Sequence, residues 1–104
     1  MIGKTVLVGL TLLDQQDAEL SRTEVYGRIT SADEDGFLEI ARGDGRGIFR
    51  LPFDPKSLEP AAPGQYHLHT TGEVVDDPDF TTIWTVNLAE GQEQAELELH
   101  GFPD

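Results

Sequence analysis

The chain has 104 residues, with twenty Asp and Glu against seven Lys and Arg, a formal charge of −13 and no cysteine. That length fits one domain with its own core. The missing thiols exclude disulfides, thiolate catalysis and sulfur-ligated zinc, and the acidity argues against nucleic acid, whose phosphates are bound by neutralising them with Lys and Arg.

The opening MIGKTVLVGLTLLD carries an apolar run broken by Gly9 and Thr11. It is too short and interrupted for a membrane span and has no small-residue cleavage site, so a soluble, cytoplasmic protein without a membrane partner is expected. Val6, Val8, Leu10 and Leu12 alternate with Thr5, Leu7, Gly9 and Thr11, the period that puts successive side chains on opposite faces of a sheet, and this predicts a long first strand. The following DQQDAEL suits a turn or a single helical turn. A second strand is predicted from about Arg22 to Ser31 on Val25, Gly27 and Ile29.

Asp35-Gly36 and Asp44-Gly45 supply residue types that tolerate a left-handed backbone, and each predicts a hairpin. Between them Phe37, Leu38 and Ile40 mark a third strand. Ile48 to Phe53 reads as a fourth, with Pro52 pointing to an edge or a strand end. Asp54-Pro55 reads as a helix cap followed by proline at the first helical position, starting a short turn through Lys56, Ser57 and Leu58 that Pro60 and Pro63 prevent from running on. QYHLHTT, IWTVNL and AELELH are read as three further strands, the last with Ala95, Leu97 and Leu99 inward. Together these predict an all-β fold, a small single-domain barrel or sandwich of about six or seven strands spanning residues 1–104.

Three stretches carry candidate chemistry. SADEDG places aspartates as a calcium loop does, but the position that should hold a bidentate glutamate is Arg42. GDGRG has phosphate-loop glycines with a strand after it and no Gly-Lys-Ser/Thr ending, so a hairpin is the simpler reading. Arg42, Arg46 and Arg50 around it read as solvated partners of nearby acids. His67 and His69, two apart on a strand, share a face and with Glu73 make a possible metal set. The string HLHTTGE resembles the His-x-His-x3-Glu part of the cupins, small β-barrels that often hold iron, manganese or zinc. Where the cupin pattern has glycines, this chain has Ala61 and Phe80, and the second cupin motif is missing. The residues therefore imply no cofactor, and a metal-dependent enzyme stands as the alternative.

In VVDDPDF, Asp77-Pro78-Asp79 has the residues of a type I turn between two β-forming runs. Asp76, Asp77 and Asp79 would then project at a loop tip, able to receive a cation or an Arg-rich partner. The charge distribution favours a partner. All seven cations lie in the first 56 residues, which carry −3, and the residues from Ser57 onward hold ten acids and no cation. Such a face steers a basic protein surface. VGLT, GRITSADEDG, LPFD, PAAPGQY, TGEVVDDPDF and WTV together resemble a family of small, single-domain, uncharacterised bacterial proteins. That resemblance implies a bacterial, cytoplasmic, standalone domain and assigns it no activity. In size the fold resembles SH3-like and Sm-like barrels. An acidic bacterial protein of this size also resembles immunity proteins, which neutralise basic toxins by charge complementarity, so a protein-binding module is the leading expectation.

Overall fold

The first strand, β1 (Thr5–Leu13), keeps its alternation in three dimensions: Val6, Val8, Leu10 and Leu12 are buried and the residues between them are half-buried. The structure, a computed structural model, describes residues 2–33, 36–88 and 93–102. After a turn at residues 14–18, β2 (Glu19–Ala32) runs back antiparallel to β1, with Val8 opposite Val25 and Val6 opposite Gly27. The predicted hairpin before the third strand is present; Asp35 lies outside the described residues, and Gly36 N donates to Asp33 O at 3.0 Å. Next come β3 (Phe37–Arg42) and β4 (Ile48–Pro52), joined by the Asp44-Gly45 turn, in which Gly45 and Gly47 have φ of 79° and 101°. Pro52 ends β4, and β4 is an outer strand of the sheet, so the missing N–H costs no ladder bond.

Asp54 caps a single 3-10 turn over Pro55–Ser57, its side chain accepting from Lys56 N. The chain then makes β5 (Glu59–Pro60), β6 (Gln65–His67), β7 (Val74–Asp76) and β8 (Phe80–Asn87). Six strands form one sheet in the order β4-β3-β2-β1-β8-β5, in which only β1 and β8 are parallel neighbours. β6 and β7 pair as a separate hairpin. The fold is therefore all-β, with eight strands in two sheets and one short helix among the described residues. Among the described residues no helix is long and apolar enough to cross a membrane.

One face of the large sheet carries the core. Val6, Val8, Leu10, Leu12, Val25, Ile29, Leu38, Ile40, Phe49 and Leu51 form a single buried cluster, with Phe80, Trp84 and Val86 of β8 packed against it. Burying each such aliphatic side chain contributes about 1.5–3 kcal/mol. Leu68 and Val75 are buried outside that cluster, in the β6–β7 hairpin.

The predicted seventh strand is not a strand. Gln94–His100 forms α1, with Leu97 buried, Leu99 half-buried and Ala95 exposed. Apolar residues at alternate positions over only six residues fit both periods, and the composition Gln-Ala-Glu-Leu-Glu-Leu favours helix. Arg42 completes the choice: its Nη1 donates to Leu99 O at 2.7 Å and Glu98 O at 3.4 Å, supplying donors to carbonyls that a helix end leaves unpaired. Past the helix, Gly101 bridges Arg50 and Phe102 N donates to Arg50 O at 2.9 Å, so this short segment covers the edge of β4.

Gly27 of β2 lies against the backbone of β3, and a Cβ there would overlap the Ala41 carbonyl. A Cβ at Gly9 would meet only the end of the Ile83 side chain, at 3.2 Å. Gly27→Ala should therefore lower stability by about 1–3 kcal/mol and Gly9→Ala should change it by less than about 0.5 kcal/mol. Urea unfolding checks both; equal effects would contradict the close approach.

Candidate functional site

The three aspartates flagged in the sequence lie together on the chain that connects β7 to β8. Asp76 ends β7 and its Oδ1 accepts from Gln65 Nε2 at 3.1 Å. Asp77 has a φ of 46°, in the left-handed region where Asp and Asn are the least strained non-glycine residues. Its Oδ1 accepts from Gly64 N at 2.7 Å and its own N donates to Gly64 O at 2.8 Å, which closes the β6–β7 hairpin at its base. Pro78 is buried.

Asp79 reaches β1. Its Oδ2 accepts from Thr5 N at 2.8 Å and from Thr5 Oγ1 at 3.1 Å, while Thr5 Oγ1 accepts from Asp79 N at 3.0 Å. The bond from the Thr5 amide is the main reason that the Asp79 carboxyl stays below its ordinary 3.8; partial desolvation opposes it, and the Thr5 hydroxyl and the charges of Lys4 and Arg28 add to the lowering. VVDDPDF bends at Asp77 and Asp79 without the hydrogen-bonded type I turn that its residues suggest; its carboxylates are bonded inside the chain and all three aspartates remain exposed.

His67, His69 and Glu73 are not set on one strand. β6 ends at His67, His69 falls in the following turn, where its N donates to Glu24 Oε1 at 2.8 Å, and Glu73 Oε1 accepts from Thr71 Oγ1 at 2.9 Å. Gly72, with φ of 77°, turns the chain between them. Among the described residues no three His, Asp or Glu side chains form a group able to hold a metal ion.

The arginines around the GDGRG hairpin are paired, as their neighbours in sequence suggest, but Arg42 is not solvated. Its side chain is 3% exposed and grips Asp44 through two bonds, Nη2 to Oδ2 at 2.7 Å and Nε to Oδ1 at 3.1 Å. Desolvation by itself would raise the Asp44 pKa; the bonds from the Arg42 side chain and the Arg46 amide, with the charges of both arginines, outweigh it and hold the carboxyl below 3.8. Arg50 pairs with Glu39 at 2.8 Å and Arg22 with Glu19 at 2.7 Å.

One feature of the surface has no motif in the sequence. A groove of about 510 Å³ runs over β8, β1 and β2 on the face away from the core, lined by Gly9, Thr11, Arg22, Glu24, His69 and Ile83. Gly9 makes its floor because it carries no side chain, and Ile83, 76% exposed, stands at its rim. The one trace of it in the sequence is a glycine inside a strand pattern, which often marks a place where something approaches the backbone closely.

Because Asp44 and Asp79 have lowered folded pKa values, the stability that they contribute is complete above the unfolded value of 3.8 and is lost as pH falls through the lower folded values. The urea midpoint of the wild type should drop between about pH 5 and about pH 1. The double variant Asp44→Asn, Asp79→Asn, less stable at neutral pH, should lose less over that interval. Equal acid losses would assign the effect to other carboxylates.

No family model, no curated protein and no solved structure matches the chain.

Proposed function

We propose that this is a cytoplasmic bacterial protein-binding module that captures a partner with a basic surface, in the manner of an immunity protein. The observation that carries the reading is the charge partition. From Ser57 onward there is no Lys or Arg, and in that part Glu59, Asp76, Asp77, Asp79, Glu93 and Glu96 are all exposed. On the other side of the partition, Arg22, Arg42 and Arg50 are paired with acids of their own chain. The second half of the sequence is therefore acidic, with Lys4 and Arg28 of the first half acting on Asp79; an acidic surplus of this kind accelerates encounter with a basic surface and orients it.

Within that half the connection from Asp76 to Asp79 is the proposed contact. Its backbone is fixed by Gly64 and Thr5, so three negative charges are presented without the entropy cost of ordering a loop on binding. The metal-dependent alternative has no such support: β6 ends at His67, the His69 amide bonds Glu24 and the Glu73 carboxylate accepts from Thr71.

Two triple variants separate a site from diffuse charge. Asp76, Asp77 and Asp79 changed together to Asn, and Glu59, Glu93 and Glu96 changed together to Gln, each remove three charges from the same half. Capture of an untagged basic partner from native bacterial lysate should fall on the order of tenfold for the aspartate triple, as expected for close charge pairs, and about twofold or less for the glutamate triple. Circular dichroism and urea midpoints identify any variant that has lost its fold. Equal losses would leave only a diffuse field, and no loss in either would remove the loop from the binding surface.

A further inference from the structure

We propose that the open edge of β8 pairs with β8 of a second copy, joining two six-stranded sheets across a two-fold axis. The inference is independent of the basic-partner reading and rests on how the two edges of the sheet differ. The β4 edge is covered: Arg50 O accepts from Phe102 N, Gly101 bridges Arg50, and His100 Nδ1 lies 3.4 Å from Ile48 O. On the far side β5 pairs with β8 only at Phe80 and Thr81. Beyond Thr81 no described strand covers β8.

The direction of the backbone groups follows from two bonds. Asp79 O accepts from Ala61 N on the β5 side, whereas Leu88 N donates to Leu13 O on the β1 side. Since backbone groups alternate in direction along a strand, Ile83, Thr85 and Asn87 point their N–H and C=O groups outward, and Thr82, Trp84 and Val86 point theirs to β1. The same parity explains why Pro60, which has no N–H, is tolerated opposite Phe80.

This edge lacks the usual protection. Phe80 to Leu88 reads FTTIWTVNL, with no charge and no proline in a chain of net charge −13. Isolated sheet edges are normally blunted by Lys, Pro, a bulge or a covering segment; β4 has Arg50, Pro52 and the Gly101–Phe102 cover, and β8 from Ile83 to Asn87 has none of these among the described residues. Ile83 is the most exposed large apolar residue of the described chain, at 76%.

A second copy fits this edge better than another strand for reasons of symmetry. The open span Ile83–Asn87 is centred on Thr85. An antiparallel pairing about a two-fold axis at Thr85 sets Thr85 against Thr85 and Ile83 against Asn87 of the second copy, each pair exchanging both backbone bonds. It stops short of Thr81, where Glu59 already pairs. With the β4 edge covered, the assembly closes as a dimer and does not propagate into a fibre.

Two chains of −13 repel, so salt should tighten this contact, the reverse of its effect on a basic partner. Sedimentation velocity on the untagged protein from about 10 µM to about 1 mM should show a monomer–dimer equilibrium. Its Kd should fall at least about tenfold as the Debye length shrinks from about 30 Å at 0.01 M salt to about 10 Å at 0.1 M. Thr85→Pro removes an N–H that points away from β1, and Thr85→Lys places a charge at the axis; each should raise Kd at least about tenfold, with circular dichroism unchanged in at least one. A wild type that stays monomeric at the highest concentration and salt overturns the proposal, as does a dimer that persists in a folded variant. Amide exchange gives a third reading: protection of Ile83, Thr85 and Asn87 that grows with concentration supports the pairing. Protection independent of concentration would put a segment of the same chain on the edge and overturn it.

Discussion

The reciprocal bonds between Thr5 and Asp79 hold the first strand and the last in register, and the rest of the sheet depends on that junction. β1 and β8 are the one parallel pair of neighbours in the sheet, so no tight turn can join them and the whole chain between must be laid out first. β2, β3 and β4 build one wing by successive hairpins, and β5, β6 and β7 carry the chain back to Phe80. At that point a one-residue slip of β8 would turn Phe80, Thr82, Trp84 and Val86 away from the core. Thr5 and Asp79 act where the slip would begin, and both donors that Thr5 offers are used by one carboxylate oxygen.

The opposite wing is fixed by a different device. Arg42 ends β3 with a buried side chain that bonds Asp44 in the following turn and the last carbonyls of α1. A buried guanidinium without partners would be strongly destabilising, so turn, strand end and helix end are mutually required. Loss of Asp44 would leave Arg42 with the helix carbonyls alone, and unwinding α1 would remove those carbonyls and uncover the edge of β4. The small helix is thus held less by its own seven residues, which are too few for an independently stable helix, than by a strand fifty residues earlier.

These two junctions also show what could be read from the sequence and what could not. Val6 to Leu12, Val25 to Ile29, the Asp44-Gly45 hairpin and the Asp54-Pro55 turn are local: a period of two or a pair of adjacent residues dictates each, and each is present. AELELH failed because six residues do not separate a period of two from one of 3.6, and the arbiter, Arg42, is remote in sequence. The same remoteness hid the role of Asp79, whose partner lies 74 positions away. QYHLHTT misled in a related way: His67 and His69 share a face only while the strand continues, and the turn in which Gly72 N donates to Leu68 O ends it at His67. The groove at Gly9 needs three strands and a hairpin to exist, so no stretch of sequence displays it.

The acidity of the chain divides by residue type once the contacts are known. Asp14 accepts from Gln16 and Ala18 amides, Asp44 from Arg46, Asp54 from Lys56, Asp77 from Gly64 and Asp79 from Thr5. A short carboxylate reaches a nearby backbone N–H easily, which is why Asp is favoured in turns and caps; five aspartates here stabilise turns first and contribute charge second. The longer glutamates of the described residues mostly bond side chains or lie exposed, as at Glu39, Glu59 and Glu96, with Glu24, which accepts from the His69 amide, as an exception. An acidic count read along the sequence therefore overstates how much of the charge is at liberty to move toward a partner. It understates how rigidly the rest is displayed, because a carboxylate anchored to backbone N–H groups presents its remaining charge from a fixed position.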